Sequence, residues 1–223
     1  MVAVIMAAGT GSRMKAGKNK VFLPLCGKPM LLHTVEAFEK SRSVDGIIVV
    51  TGAEDIKECK ELLSGCSKII SVIAGGSTRQ ESSFIGVSAA ESDFVLIHDG
   101  ARALITSEEI DDVAAAVKQT GSGAIGVPCV DTMKVCQDGR IVSTVDRDSL
   151  FKVYTPQGFR RERLLELHLK ARECGVCVTD DCSLFEWAGE SVTPVAGNPL
   201  NIKLTTPEDV LIAEAVLNAR GML

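Results

Sequence analysis

The sequence predicts an α/β fold in which a mainly parallel sheet is flanked by helices and carries a protruding β-hairpin arm. Three observations lead to this prediction: helical and extended patterns alternate, short apolar runs end in glycine-rich or polar loops, and one central stretch shows two strands joined by a tight turn. A chain of 223 residues suits one domain, so we predict a single domain over 1–223 with the arm at about 130–150.

The first half of the chain alternates between strands and helices. Apolar runs predict strands at 2–5, 47–50, 68–73 and 94–97, and helical spacing predicts helices around 31–38, 54–64 and 80–90. A fourth helix begins after Thr106, because Thr106 and Glu109 have the spacing of a capping box. Such alternation is typical of parallel strands joined by crossover helices.

The arm interrupts this alternation. The segments 132–137 and 140–145 are β-rich, and Asp138-Gly139 between them is a strong signal for a two-residue hairpin turn. An isolated hairpin is at best marginally stable, so we expect the arm to pack on another surface.

The pattern resumes after the arm. We predict strands at 152–155 and 192–195, helices at 160–173 and 183–188, and a last helix that Thr206 caps and Pro207 begins. The helical spacing suggests surface or boundary positions for His33 and His168 and a core position for Trp187.

Composition limits the class of protein. The formal net charge of −5 comes without a basic block, which argues against a general nucleic-acid binder. The N-terminal apolar run is far shorter than the ~20 residues of a membrane span, and no cationic segment precedes it. We therefore predict a cytoplasmic protein that binds neither nucleic acid nor membrane.

The eight cysteines raise two alternatives. Cys174, Cys177 and Cys182 could form a metal site, but a second close pair or suitably spaced histidines are missing from the pattern. Reduced thiols that pack as small apolar groups, such as Cys59 on a helix face, are the favoured interpretation.

The loop after the first strand has the features of a phosphate site. Glycines let a polyphosphate approach the main-chain N–H groups, and basic side chains supply positive charge, in the run Ala7-Ala8-Gly9-Thr10-Gly11-Ser12-Arg13-Met14 followed by Lys20. It is not a P-loop, because five residues separate Gly11 from Gly17. A dinucleotide fingerprint would need glycine in place of Met14.

Asp99 is the second candidate group. It follows an apolar strand, so its carboxylate lies where open α/β sheets bind ligands, and it could hold Mg²⁺ against phosphate oxygens. The alternative is a capping or ion-paired aspartate, for example with Arg102. The Gly75-Gly76 loop would converge on the same edge of the sheet, which favours a functional role for Asp99.

The first loop resembles that of the nucleotidyltransferases with a Rossmann-like three-layer fold, whose signature continues into a motif found here from Leu23 to Pro29. The whole chain is similar to the 2-C-methyl-D-erythritol 4-phosphate cytidylyltransferase family of the non-mevalonate isoprenoid pathway. The motifs that carry this resemblance are Gly75-Gly76 with Arg79 and Ser82, His98-Asp99 with Arg102, Asp131-Thr132-Met133-Lys134, Thr144-Val145-Asp146-Arg147, Thr155-Pro156-Gln157, Thr179-Asp180 and Asn201-Ile202-Lys203.

The chain departs from the family pattern at a few positions. The family usually has Pro-Lys-Gln where this chain has Asn19-Lys20-Val21, and Ala and Pro where Gly100 and Ala103 stand. These departures leave the local loop shape open.

The resemblance implies cytidylyl transfer from CTP to 2-C-methyl-D-erythritol 4-phosphate, which yields 4-diphosphocytidyl-2-C-methyl-D-erythritol and pyrophosphate. It implies catalytic roles for Arg13, Lys20 and Lys203, and a divalent metal, most simply Mg²⁺, at Asp99. The implied nucleotide-binding residues are Ala7, Ala8, Gly9, Gly11, Gly75, Gly76, Ser82 and Asp99. The implied acceptor-binding residues are Arg102, Thr132, Arg147, Thr155 and Thr179.

The exposed hairpin predicts a homodimer in which the arms embrace the partner, and the resemblance adds that Arg147 reaches the neighbouring subunit's site. Two alternatives stay open at this point: a ribitol 5-phosphate cytidylyltransferase, which handles a related polyol phosphate, and a non-catalytic nucleotide-binding regulator on the same fold. Lys20 and Lys203 argue against the regulator, because a binder gains little from cations at the reacting phosphate.

Overall fold

The computed structural model describes residues 1–9 and 19–221. The strands are β1 Val2–Met6, β2 Pro24–Leu25, β3 Lys28–Pro29, β4 Gly46–Thr51, β5 Ile69–Ala74, β6 Phe94–Asp99, β7 Ser122–Pro128, β8 Lys134–Gln137, β9 Arg140–Thr144, β10 Phe151–Arg160 and β11 Thr193–Ala196. The helices are α1 Met30–Lys40, α2 Ile56–Leu62, α3 Arg79–Ala89, α4 Ser107–Thr120, α5 Arg161–Glu173, α6 Cys182–Trp187 and α7 Pro207–Ala219.

Seven strands form the central sheet in the order β11-β7-β10-β6-β1-β4-β5. Strand β10 runs antiparallel to both of its neighbours, whereas the other pairs are parallel. The mainly parallel sheet predicted from the sequence is therefore confirmed. The antiparallel direction of β10 follows from the arm, which returns the chain to the sheet from the edge where β7 ended.

Both faces of the sheet are covered. On β1, Ala3 and Ile5 pack in one apolar cluster with residues of α1, α2, α4 and α7, while Val2 and Val4 pack in another with residues of α3, α5 and α6. A strand buried on both faces has a continuous apolar sequence, as β1 does. The predicted three-layer arrangement is confirmed.

The arm is a two-stranded hairpin formed by β8 and β9. Its turn residues Asp138 and Gly139 have φ values of 49° and 73°, as expected for a turn whose twist matches that of the flanking strands. Every residue of β8 and β9 is exposed. The predicted protruding hairpin is confirmed.

Three side-chain positions differ from the sequence prediction. His33 and His168 are 5% and 3% exposed, so their surface or boundary assignment was wrong. His33 Nε2 lies 2.8 Å from the carbonyl oxygen of Leu25, and the His168 ring packs on Phe84, contacts with distant segments that helical spacing does not reveal. Trp187, assigned to the core, is 38% exposed.

None of the helices in the described part of the chain has the length and apolar character needed to cross a bilayer.

The sequence did not predict the short β2–β3 hairpin, because two-residue strands are too short to show a periodic pattern.

Candidate active site

A cleft of about 390 Å³ opens at the carboxyl ends of β1 and β6. Open α/β sheets bind their ligands at this edge, since the loops that leave parallel strands meet there. The lining residues that the sequence singled out are Ala8, Gly9, Lys20, Gly76, Arg79, Ser82, Asp99 and Lys203.

The main chain that follows β1 lines the cleft at Ala8 and Gly9. The Ala7 N–H donates to the carbonyl of Val50 at 2.7 Å, which extends the pairing of β1 with β4 by one residue. A Cβ atom added at Gly9 would meet no atom within 4 Å among the described residues. Two further predicted residues of this loop, Gly11 and Arg13, lie outside the described residues.

The second glycine loop is shaped by Ser82. The Gly76 N–H donates to Ser82 Oγ at 3.0 Å, and the hydroxyl donates to the carbonyl of Thr78 at 2.8 Å. A Cβ at Gly75 would lie 2.7 Å from the same Oγ, so the loop needs glycine at that position. Thr78 caps the helix that follows, and a helix N-terminus at a cleft favours anions.

Asp99 is surrounded by three cations. Its carboxylate lies 2.9 Å from Lys203 Nζ, 3.5 Å from Arg102 Nε and 3.8 Å from Arg79 Nε. Burial raises the pKa of Asp99, but these cations outweigh that effect and hold the pKa below its usual value. The carboxylate is thus ionised at neutral pH.

The backbone of Asp99 is fixed from β10. Thr155 Oγ1 accepts the Asp99 N–H at 3.0 Å and lies 3.1 Å from His98 Nδ1, to which it can donate. Burial lowers the pKa of His98 to about 3, so the imidazole is neutral and Nδ1 can accept. The side-chain amide of Asn201 donates to the Thr155 carbonyl at 3.0 Å. The main-chain carbonyl of Asn201 accepts a hydrogen bond from Arg102 Nη1 at 2.8 Å.

The two lysines meet on one wall. Lys20 Nζ donates to the carbonyl of Leu204 at 2.8 Å, and the preceding residue is Lys203, which pairs with Asp99. Leu204 is held in turn by its N–H bond to the Ala101 carbonyl at 2.8 Å. Residues 184 positions apart are thereby joined at the cleft.

Sequence reasoning gave no role to the pair Arg79–Asp181. Arg79 Nη1 donates to Asp181 at 2.9 Å, and Ser83 Oγ donates to the same carboxylate at 2.5 Å. Burial raises the pKa of Asp181, but Arg79 and its other partners outweigh it and lower the pKa to about 2. The signal that could have pointed to Arg79 is its place in the first turn of a helix that follows two glycines.

Three other predicted residues, Arg147, Thr132 and Thr179, do not line the cleft. On the arm, Arg147 Nη1 donates to the Val130 carbonyl at 3.3 Å and Nε lies 3.9 Å from Asp148. Thr132 is exposed on the arm, and Thr179 is exposed in the loop that precedes Asp181. Thr155, in contrast, is buried behind Asp99.

A Rossmann-like sheet with a glycine loop, two lysines and a strand-end carboxylate lining one cleft at its carboxyl edge defines the class of the Rossmann-like nucleotidyltransferases. Comparison with known proteins identifies the family within this class. The sequence model of the 2-C-methyl-D-erythritol 4-phosphate cytidylyltransferase family matches residues 1–219, and the chain belongs to that family.

Individual relatives agree with this assignment. The 2-C-methyl-D-erythritol 4-phosphate cytidylyltransferase of Bacillus licheniformis is 44% identical over 97% of this chain and 95% of its own length. That of Halalkalibacterium halodurans is 43% identical over 96% and 95%. The crystal structure of 4-diphosphocytidyl-2C-methyl-D-erythritol synthase from Anaerococcus prevotii superposes with a TM-score of 0.87 at 30% identity, covering 97% of each chain.

Proposed function

We propose that this chain transfers the cytidylyl group of CTP to 2-C-methyl-D-erythritol 4-phosphate and releases pyrophosphate. Family membership over residues 1–219 supports the reaction and its substrates. The observation that carries the proposal is the meeting of Lys20, Lys203 and Asp99 on the walls of one cleft.

The chemistry needs cations more than a protein nucleophile. A phosphate oxygen of the acceptor attacks the α-phosphorus of CTP and forms a new P–O bond, and the bond to the β-phosphate oxygen breaks to give pyrophosphate. Both reactants are anionic, and charge builds on the transferring phosphoryl oxygens. We assign Lys20 and Arg13 to the α-phosphate and Lys203 to the approaching acceptor, where fixed positive charge lowers the barrier.

We further propose that Asp99 holds a divalent cation, most simply Mg²⁺, together with the triphosphate. The described residues contain no group of three or more His, Cys, Asp or Glu side chains that could hold a metal by itself. One carboxylate beside a phosphate site fits Mg²⁺, which keeps several waters and binds through one or two carboxylates plus substrate phosphates. When bound, the cation neutralises phosphate charge.

The nucleotide would lie between the two glycine loops. Ala8 and Gly9, with Gly11, would offer main-chain N–H groups to the triphosphate. Ala7, whose N–H is bonded to the Val50 carbonyl, is assigned to the same end of the nucleotide site. Gly76 and Ser82 line the same cleft, and Gly75 lies next to them beside Ala8. We assign these three residues to the cytosine and ribose. The N-terminus of α3 adds a favourable field for the anion.

The acceptor would be held partly by the arm. Arg147 suits bidentate recognition of a terminal phosphate, Thr132 can supply a hydroxyl, and Arg102, Thr155 and Thr179 remain assigned to the acceptor. The arm also exposes the apolar side chains of Val130, Met133, Val135, Ile141 and Val142. We propose that a homodimer covers these side chains and brings Arg147 to the cleft of the neighbouring subunit. The charge and cysteine content of the sequence support a cytoplasmic location.

The test is pyrophosphate release from CTP and Mg²⁺ with three additions: methylerythritol phosphate, ribitol 5-phosphate, and no acceptor. We expect the highest kcat/KM with methylerythritol phosphate, and loss of about 100- to 1000-fold in kcat for Lys20→Ala, as for removal of a transition-state donor. A preference for ribitol phosphate would overturn the acceptor, and CTP binding without turnover of either acceptor would indicate a regulator.

A further inference from the structure

Asn19 stands at the point where the chain leaves the glycine loop, directly before Lys20. Its side chain is buried, with 9% of the residue exposed. The amide nitrogen Nδ2 donates to the carbonyl of Ala7 at 2.6 Å and to Asp55 Oδ2 at 2.9 Å. The Oδ1 atom accepts the N–H of Val21 at 3.3 Å.

These three bonds use both the donors and the acceptor of one amide. They join segments that are remote in sequence: the end of β1 at Ala7, the turn after β4 at Asp55, and the start of the 3₁₀ turn Lys20–Phe22. Ala7 and Asn19 flank the glycine loop, so one side chain connects its two ends across 12 positions.

Lys20 directly follows Asn19 in the chain. Its ammonium donates to the carbonyl of Leu204 at 2.8 Å, next to Lys203. A long, flexible lysine is placed accurately only if its backbone is fixed, and a misplacement of about 1 Å can cost a reaction about 100-fold. The bonds of Asn19 fix that backbone on the side of the nucleotide loop.

We propose that Asn19 is a positioning residue for the transfer reaction: its amide clamps the exit of the glycine loop to β1 and to Asp55 and thereby sets the position of Lys20. The inference rests on the proposed function, since it assigns Lys20 to the α-phosphate. Asn19 touches no reacting group and acts through its neighbour.

The first variant is Asn19→Asp, which keeps the shape and the acceptor for Val21 but removes both donors and sets two carboxylates against each other. We expect kcat to fall about 100-fold, with the KM for CTP within threefold of the parent. Combining Asn19→Asp with Asp55→Asn restores a donor and an acceptor between the two positions, and we expect kcat to recover at least tenfold.

The matched control is Asn198→Asp. Asn198 is exposed, and its Oδ1 accepts the N–H of the second following residue at 2.9 Å, the same local bond that Asn19 makes to Val21. Kinetic constants within twofold of the parent are expected for this variant.

A double mutant tests the route through Lys20. If Asn19 acts by positioning Lys20, Asn19→Asp adds no loss once Lys20→Ala is present. A loss of the same size in both backgrounds would overturn the inference, as would a single variant within twofold of the parent.

Amide hydrogen exchange of residues 19–25 gives a readout that does not depend on turnover. Faster exchange there in Asn19→Asp than in the parent and in Asn198→Asp supports the clamp, and unchanged exchange overturns it. Failure of the parent to release pyrophosphate, or a Lys20→Ala variant as fast as the parent, would instead refute the proposed function, and exchange would then decide the clamp alone.

Discussion

The cleft and the arm are built in opposite ways. In the cleft, Asp99 is 8% exposed, contacts three cations and is fixed through its backbone by Thr155. On the arm, every residue of β8 and β9 is exposed, and Arg147 contacts Val130 and Asp148, which lie in the arm or beside it. The proposed nucleotide site is therefore assembled by the packing of one chain, whereas the proposed acceptor residues Thr132 and Arg147 are carried on a segment without a packed core.

The difference has a physical reason. Buried charges are tolerated only when partners surround them, so the cleft must be complete within the fold. A hairpin needs no such network, but it is marginal until another surface covers its apolar side chains. The comparison predicts that cleft variants change the chemistry of each subunit and that arm variants change how subunits share a site.

The largest effect is expected from Asp99→Asn. The variant keeps the shape of the side chain but removes the negative charge that faces Lys203, Arg102 and Arg79, and with it the proposed metal ligand. We expect kcat to fall about 100- to 1000-fold, and excess chelator to abolish parent activity. Parent-like turnover in chelator, or in the variant, would contradict the role of Asp99, and Asp112→Asn on the exposed face of α4 is the control.

A smaller effect, on the free energy of unfolding, is expected when the pH is lowered. The folded-state pKa of Asp181 is about 2, below the usual 3.8, so its contribution to stability is complete above about pH 4 and is lost as pH falls towards 2. The difference corresponds to about 2 kcal/mol of unfolding free energy. Denaturant unfolding at pH 5 and pH 2.5 should show this extra loss in the parent and not in Asp181→Asn.

The matched comparison on the arm is Asp148→Asn, whose side chain is 90% exposed. It should follow the parent at both pH values. Equal pH dependence in all three proteins would show that the buried carboxylate does not stabilise the cleft as described.

The smallest effect is expected from Arg147→Lys. An ammonium keeps the charge but cannot reproduce the planar fork of a guanidinium, so we expect kcat/KM for methylerythritol phosphate to fall about tenfold, with the KM for CTP unchanged. Arg140→Lys, also exposed on the arm, is the control. An equal loss for both substrates would place Arg147 outside acceptor recognition.

Most of the fold followed from local patterns. Strands such as β4 and β6 are short apolar runs, and the predicted capping box at Thr106 and helix cap at Thr206 are confirmed. The sequence did not reveal the direction of β10, because a strand's partners are set by the path of the chain rather than by its own residues.

The residues of the site also divide into those that the sequence predicted and those that it did not. Asp99 and the Gly75-Gly76 loop could be predicted, since glycines and a strand-end carboxylate carry a signal of their own. Asn19 and Asp181 could not be assigned roles, because each acts through partners distant in sequence, at Ala7 and Asp55 in one case and at Arg79 in the other. The sequence showed Asn19 only as a departure from the family pattern.

The most direct test of a site shared between subunits is a mixture of Lys20→Ala and Arg147→Ala chains, unfolded together and refolded at equal amounts. If Arg147 acts in the partner's cleft, each mixed dimer contains one site with both substitutions and one with neither. Random pairing then restores about a quarter of parent activity, from two nearly inactive proteins. If the mixture stays as inactive as its components while mixed dimers are present, each cleft uses its own Arg147, and the division between cleft and arm proposed here is wrong.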